Sequence, residues 1–202
     1  MQLDNRILTK AESLFFKYGI KSISMDDLSR ELGISKKTLY QSVENKKELV
    51  IQVFQNLIQK EIDAVISIRK DADDAIDEMI EVARYVIPML RQISPTLIFD
   101  IQKYYRDVWL LCEEFNQQEV FTVIKENIKR GIKEGIYREE FHSEIIAKLY
   151  VGKTNLVIDE DIFPLKEYNK ENLFKEHIQY HIRGIATSKG LKLLEKHFKK
   201  LS

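Results

Sequence analysis

The stretch Ser24–Leu49, SMDDLSRELGISKKTLYQSVENKKEL, constrains this chain more than any other. Its apolar residues Leu28, Leu32, Ile34 and Leu39 fall where two short crossed helices bury a common seam. Ser29 is small and stands where the helices approach most closely. Gly33 falls at the chain reversal, where a positive φ costs little. Ser35 offers an N-cap oxygen to the next helix, whose first turn is Lys36-Lys37-Thr38, followed by Tyr40 and Gln41. Helix, tight turn, helix at this spacing is the helix-turn-helix geometry, here over 24–43. Its second helix presents such side chains to phosphates and base edges in a major groove.

Helical signals extend through the rest of the chain. Ile7, Leu8, Ala11, Leu14 and Phe15 share one face of a first helix over about 4–18. Ser24 and Asp27 form a short-armed capping box. Asn45 and Glu48 form a fuller one, opening a long helix to about residue 69. Further helices are expected over 71–87, ended or kinked at Pro88, and from Pro95 behind the Ser94 cap. A run over about 106–129 follows, broken by Gly131 and Gly135. Helices over 143–157 and 169–187 flank an acidic loop containing Pro164, and the basic tail from Lys189 is left helical or frayed. Three prolines and seven glycines supply too few turns for a sheet-rich fold. The expected class is all-α with about nine helices: a three-helix DNA-binding domain over 1–60, then a ligand-binding and dimerisation bundle over 61–202.

A net charge of zero argues weakly against nucleic acid until it is divided. Residues 1–60 hold 10 basic and 7 acidic residues, a surplus of +3, and residues 61–202 hold 22 and 25, a deficit of −3. The positive excess lies with the helix-turn-helix. One cysteine excludes a disulfide framework and suits a reducing cytoplasm. The N-terminus lacks a signal-peptide core, and no run of roughly 18 apolar residues suggests a membrane span.

The run ELGISKKTLYQSVENKKEL, with Phe15, Gly19, Ile20, Ser24, Met25 and Leu28 ahead of it, resembles the DNA-binding segment of the TetR family of bacterial transcriptional regulators. The one departure is Val43, where that family usually carries Phe; looser packing of the recognition helix is expected there. GIKEGIYREEFHSEIIAKL, residues 131–149, is similar to the family's turn between its seventh and eighth helices. The resemblance implies phosphate contacts by Tyr40 and Lys46. Thr38 and Gln41 are the better candidates for base edges, and Lys36 and Lys37 lie on the same helix. It also implies a homodimer on a palindromic operator in double-stranded DNA, and a small-molecule effector bound in the middle of the chain.

Six of the twenty aromatic residues crowd into 99–121. Tyr105, Trp109 and Cys112 fall at i, i+4 and i+7, and with Phe99 and Phe115 they are the candidate effector pocket; an ordinary bundle core is the alternative. Cys112 beside Glu113 and Glu114 reads as a buried apolar thiol rather than a redox sensor. His177 and His181, at i, i+4, lack further ligands for a metal site. Ile145, Ile146, Leu149, Leu156, Leu173, Ile178, Ile182 and Ile185, with Gly152 and Gly184, are expected at the dimer interface. No nucleophile–base constellation, Gly-rich phosphate loop or metalloprotease motif supports catalysis, and no cofactor is implied. The rival readings are a helical small-molecule-binding protein and a regulator that answers to a protein partner.

Overall fold

The computed structural model describes residues 4–199 except 158, 160 and 165. Ile158, Glu160 and Leu165 of the acidic loop and the end of the basic tail therefore lie outside the described residues. Among those described there are eleven α-helices and no strand. In order they are α1 (Asn5–Tyr18), α2 (Met25–Leu32), α3 (Lys36–Ser42), α4 (Lys46–Asp71), α5 (Ala75–Gln92), α6 (Pro95–Tyr104), α7 (Arg106–Phe115), α8 (Phe121–Lys133), α9 (Ser143–Val157), α10 (Lys170–Ile185) and α11 (Ser188–Phe198). They pack as two compact units, residues 1–61 with 92–114, and residues 62–91 with 115–202.

In the first unit, Phe15, Ile20, Leu28, Leu39, Leu49, Val50 and Val53 form a fully buried core. α1 runs antiparallel to α4. Glu12 pairs with Lys60 at 3.1 Å, Phe16 stacks on Phe54 at 6.4 Å, and the Lys46 ammonium donates to the Ile20 carbonyl at 2.6 Å. α6 begins as expected, with the Ser94 hydroxyl accepting from Leu97 N–H and Pro95 in the first turn.

The second unit buries polar groups. Arg130 on α8 donates to Glu78 on α5 at 3.0 Å, to Glu134 at 2.7 Å and to the Ala72 carbonyl at 2.8 Å. It thus ties the chain just beyond the end of α4 to the first turns of α5. Glu78 is 1% exposed, and burial raises its carboxyl pKa despite the guanidinium. His197 on α11 lies 3.3 Å from Asp74 and 2.9 Å from Asp77. Tyr150 on α9 packs its ring between His177 and His181 of α10, with centroids 4.6 and 4.8 Å away. Burial drives both imidazoles toward the neutral form, His177 to about 4 and His181 to about 3.

Several boundaries depart from expectation. Pro88 does not end α5, which continues to Gln92. Proline removes one helical hydrogen bond, but Ile76, Met79, Ile80, Ala83, Ile87 and Leu90 are buried along both sides of it, so packing outweighs the loss. The 106–129 run is two helices joined by a π-helical turn over Asn116–Val120. Gly131 lies inside α8 rather than breaking it; a Cβ there would clash with the Tyr137 ring, so the glycine makes room for that side chain. The tail forms α11, capped by Thr187. The split run and this last helix account for the count above nine.

Candidate nucleic-acid interface

The helix-turn-helix is built from its caps. At α2 the Ser24 hydroxyl accepts from Asp27 N–H at 3.1 Å, and the Asp27 carboxylate accepts from Ser24 N–H at 3.0 Å, closing the box in both directions. α2 ends at Gly33, whose φ of 66° and ψ of 31° turn the chain so that Ile34 N–H reaches back to the Ser29 carbonyl at 3.0 Å. Ser35 caps α3 by accepting from Thr38 N–H at 3.0 Å. The box expected at Asn45 is shifted: its side chain accepts from Glu48 N–H at 2.9 Å, while the Glu48 carboxylate reaches Glu44 N–H rather than Asn45.

The seam below these caps is closed. Leu28, Leu32, Leu39 and Val43 are each at most 4% exposed, and Ser29, itself buried, donates to the Asp26 carbonyl at 2.9 Å. Val43 fills its place in extended backbone at the end of α3. Arg6 of α1 donates to the Leu32 carbonyl at 2.7 Å, tying α1 to the end of α2. With one face of α3 pinned by Leu39, its other positions face outward. Lys36, Lys37, Thr38, Tyr40 and Gln41 are all exposed.

These side chains differ in readiness. Lys36 is held by Asp26 at 2.6 Å, which raises its pKa, so it must exchange a carboxylate for any phosphate. The Thr38 hydroxyl shares a hydrogen bond with Ser35 at 2.7 Å. Lys37 has no ion-pair partner among the described residues. Lys46 is half-buried. Burial first, and the charge of Lys21 second, lower its pKa. Its ammonium points onto the Ile20 carbonyl rather than freely into solvent, a placement that the sequence pattern did not reveal. Lys47 pairs with Asp107 at 2.5 Å.

The aromatic candidates are dispersed. Phe99 is 52% exposed, with its ring edge-on to Tyr104 at 6.1 Å. Tyr105 is buried, and Trp109 and Cys112 are half-buried in the first unit; Phe115 is half-buried at the start of the second unit's 115–202 segment. Burial, and then Glu61 and Glu113, push the Cys112 thiol up to about 11, so it is no thiolate at neutral pH. Glu61 itself was not singled out from sequence. It interrupts the apolar stripe Val50, Phe54, Leu57, Val65 on α4, and burial lifts its carboxyl to about 7. A carboxylate at the core period of a helix was the available signal.

The model of bacterial regulatory proteins of the tetR family matches residues 7–53, which hold the whole capped helix-turn-helix and the start of α4. Residues 7–53 are therefore a TetR-type DNA-binding segment. The chain is a transcriptional regulator of TetR type, with an N-terminal helix-turn-helix followed by a helical bundle. Similarity to other transcriptional regulators extends over most of the chain. The chain is 26% identical over 169 residues to the HTH-type transcriptional regulator YvaF of Bacillus subtilis, covering 81% of this chain and 85% of that one. It is 24% identical over 161 residues to IcaR of Staphylococcus epidermidis, the negative transcriptional regulator of the biofilm operon icaADBC, covering 80% and 76%. Among solved structures it resembles a transcriptional regulator from Cytophaga hutchinsonii, with a TM-score of 0.72, 18% identity, and 90% and 97% of the two chains covered. It also resembles one from Saccharomonospora viridis in complex with choline, with a TM-score of 0.67, 17% identity, and 90% and 96% covered.

Proposed function

We propose that this TetR-type regulator is a homodimeric, effector-responsive repressor that reads a palindromic operator, with residues 1–60 as reader and 61–202 as effector and dimerisation domain. The observation that carries the DNA reading is α3: one face locked by Leu39 and Val43, the other offering Lys37, Thr38, Tyr40 and Gln41 to solvent. Thr38 and Gln41 carry donors and acceptors suited to base edges, while Tyr40, Lys37 and Lys46 suit phosphates. Binding DNA places its work in the cytoplasm. No helix among the described residues is long and apolar enough to cross a membrane.

One recognition helix reads too few bases for useful specificity, and a two-fold dimer doubles them. The surface for such a dimer is supported by α9 and α10. Ile145, Leu149 and Leu156 are 55%, 52% and 41% exposed along one face of α9, with Gly152 open between them. Tyr180, 67% exposed, and the open Gly184 extend the patch on α10. Ile178, Ile182 and Ile185 are buried in the protomer's own core, so they support this face from beneath rather than forming it.

The effector site we favour is the face of α7 that carries Trp109 and Cys112, with Tyr105 at the junction just before it and Glu61 beside Cys112. The choline-bound relative and the negative regulator IcaR support a ligand-switched repressor by analogy. An effector acts by favouring one of two spacings of the reading heads, and only to the extent that it binds those two states differently. Selection from a random duplex pool with the full chain tests the central reading: an enriched palindrome is expected, and no enrichment at low salt overturns it. Thermal-shift screening of metabolites and hydrophobic drugs, repeated on Trp109→Ala, tests the effector site.

A further inference from the structure

We propose that Lys21 and Lys103, with Tyr104 between them, form a second phosphate site that carries the DNA interface past the recognition helix onto the flank of the operator. This rests on the DNA-reading proposal above. The antiparallel run of α1 on α4 brings the loop after α1 beside the first turn of α4, where the Ile20 carbonyl accepts from Lys46. Lys21 is the next residue. Its ammonium lies 4.6 Å from the centre of the Tyr104 ring. The Lys103 ammonium lies 5.4 Å from the same centre and 4.9 Å from that of Phe99. Two charges held on one ring can be no further apart than the sum of those distances, about 10 Å. Each strand of a duplex carries a phosphate for every ~3.4 Å of rise, so this span suits neighbouring phosphates of one backbone.

No ion pair among the described residues neutralises the two ammonium groups. Neither Lys21 nor Lys103 has a carboxylate ion-pair partner among the described residues, and Lys46 feels the like charge of Lys21 ahead of the opposite charges of Asp100 and Asp27. The carboxylate beside them, Asp100, is 3% exposed and already accepts from Lys21 N–H at 2.7 Å. Asp27 is committed to Ser24 and Arg30. Tyr104 and Phe99 are 47% and 52% exposed, so the rings are open to solvent while they hold the ammonium groups over their faces. A surface of unpaired lysines on exposed aromatics, continuous with Lys46, fits a phosphate backbone and carries no base-reading geometry.

The test uses the full chain and a duplex enriched from the random pool, in two lengths: the base-specific core alone, and the core extended by about one helical turn at each end. Lys21→Ala/Lys103→Ala is expected to bind the extended duplex about tenfold more weakly at about 0.1 M salt, to lower its salt slope by about 2, and to match the parent on the core duplex. Lys21→Arg/Lys103→Arg should restore the extended-duplex affinity. Equal losses on both lengths, or no loss on either, overturn the proposal while leaving the DNA reading intact. Loss of binding to vesicles of anionic lipid, with DNA binding unchanged, also overturns it by assigning the patch to a membrane surface. Failure of the parent chain to enrich any duplex defeats the underlying DNA reading instead.

Discussion

The helix-turn-helix turns its polar chemistry outward, whereas the unit of residues 62–91 and 115–202 turns much of its own inward. In the former, Ser24, Asp27, Ser35 and Asn45 satisfy helix ends at the surface, above a small core of Leu28, Leu39 and Val43. In the latter, Glu78, Asn127, His177, His181 and His197 are each 9% exposed or less. The Asn127 amide donates to the Ala75 carbonyl at 2.8 Å, and the buried Tyr137 hydroxyl lies against Asn127. An outward surface of donors and cations suits a polyanion. Buried polar pairs add little net stability but penalise any packing that leaves them unpaired. The difference teaches that substitutions should act on binding in the first region and on stability in the second.

The largest expected effect is Arg130→Ala. It leaves the buried Glu78 carboxylate with only the Asn127 amide and the charge of Arg69 and should cost about 3–5 kcal/mol, read from urea unfolding. Arg130→Met/Glu78→Leu, which removes both charges, should recover most of that loss. If Arg130→Ala is instead neutral, the inward half of the comparison fails.

Next is acid. Folded His177 and His181 hold their protons only below about 4 and about 3, against an ordinary value near 6.5. Below pH 6.5 the unfolded chain binds more protons, so their contribution is complete above that pH and is lost as pH falls toward 4. At pH 5 the loss is about 2 kcal/mol for each histidine. Unfolding free energies from pH 8 to 5 should show this slope, and His181→Leu should remove about half of it.

Glu61 gives a smaller effect of opposite sign. Its carboxyl is raised to about 7, so stability is lost as pH rises from about 4.5 to 7. Because the residue keeps some solvent contact, Glu61→Gln should stabilise the protein at pH 8 by only about 1–2 kcal/mol and have no effect at pH 4. A destabilising Gln would mean that the carboxylate has a compensating partner.

The reader was legible because its signals are local. Ser24, Gly33, Ser35 and Asn45 act on backbone groups within about four residues, and Leu28, Leu32 and Leu39 repeat at the helical period. What was missed depends on distant residues. Pro88 stays helical because of what packs around it, Gly131 exists for Tyr137, and Lys46 is turned onto Ile20, twenty-six positions away. The aromatic cluster failed as a unit for the same reason: spacing put Tyr105 and Trp109 on one face, but only tertiary packing could place Phe99 at the surface beside Lys103.

The most direct test of the central claim, that α3 reads bases while Lys46 holds the backbone, is repeated operator selection with Gln41→Ala and Lys46→Ala. The account predicts that Gln41→Ala relaxes preference at one symmetric pair of positions. It predicts that Lys46→Ala keeps the parent motif and binds every sequence more weakly, with a salt slope lower by about 1. An unaltered motif with Gln41→Ala and an unaltered salt slope with Lys46→Ala would contradict it.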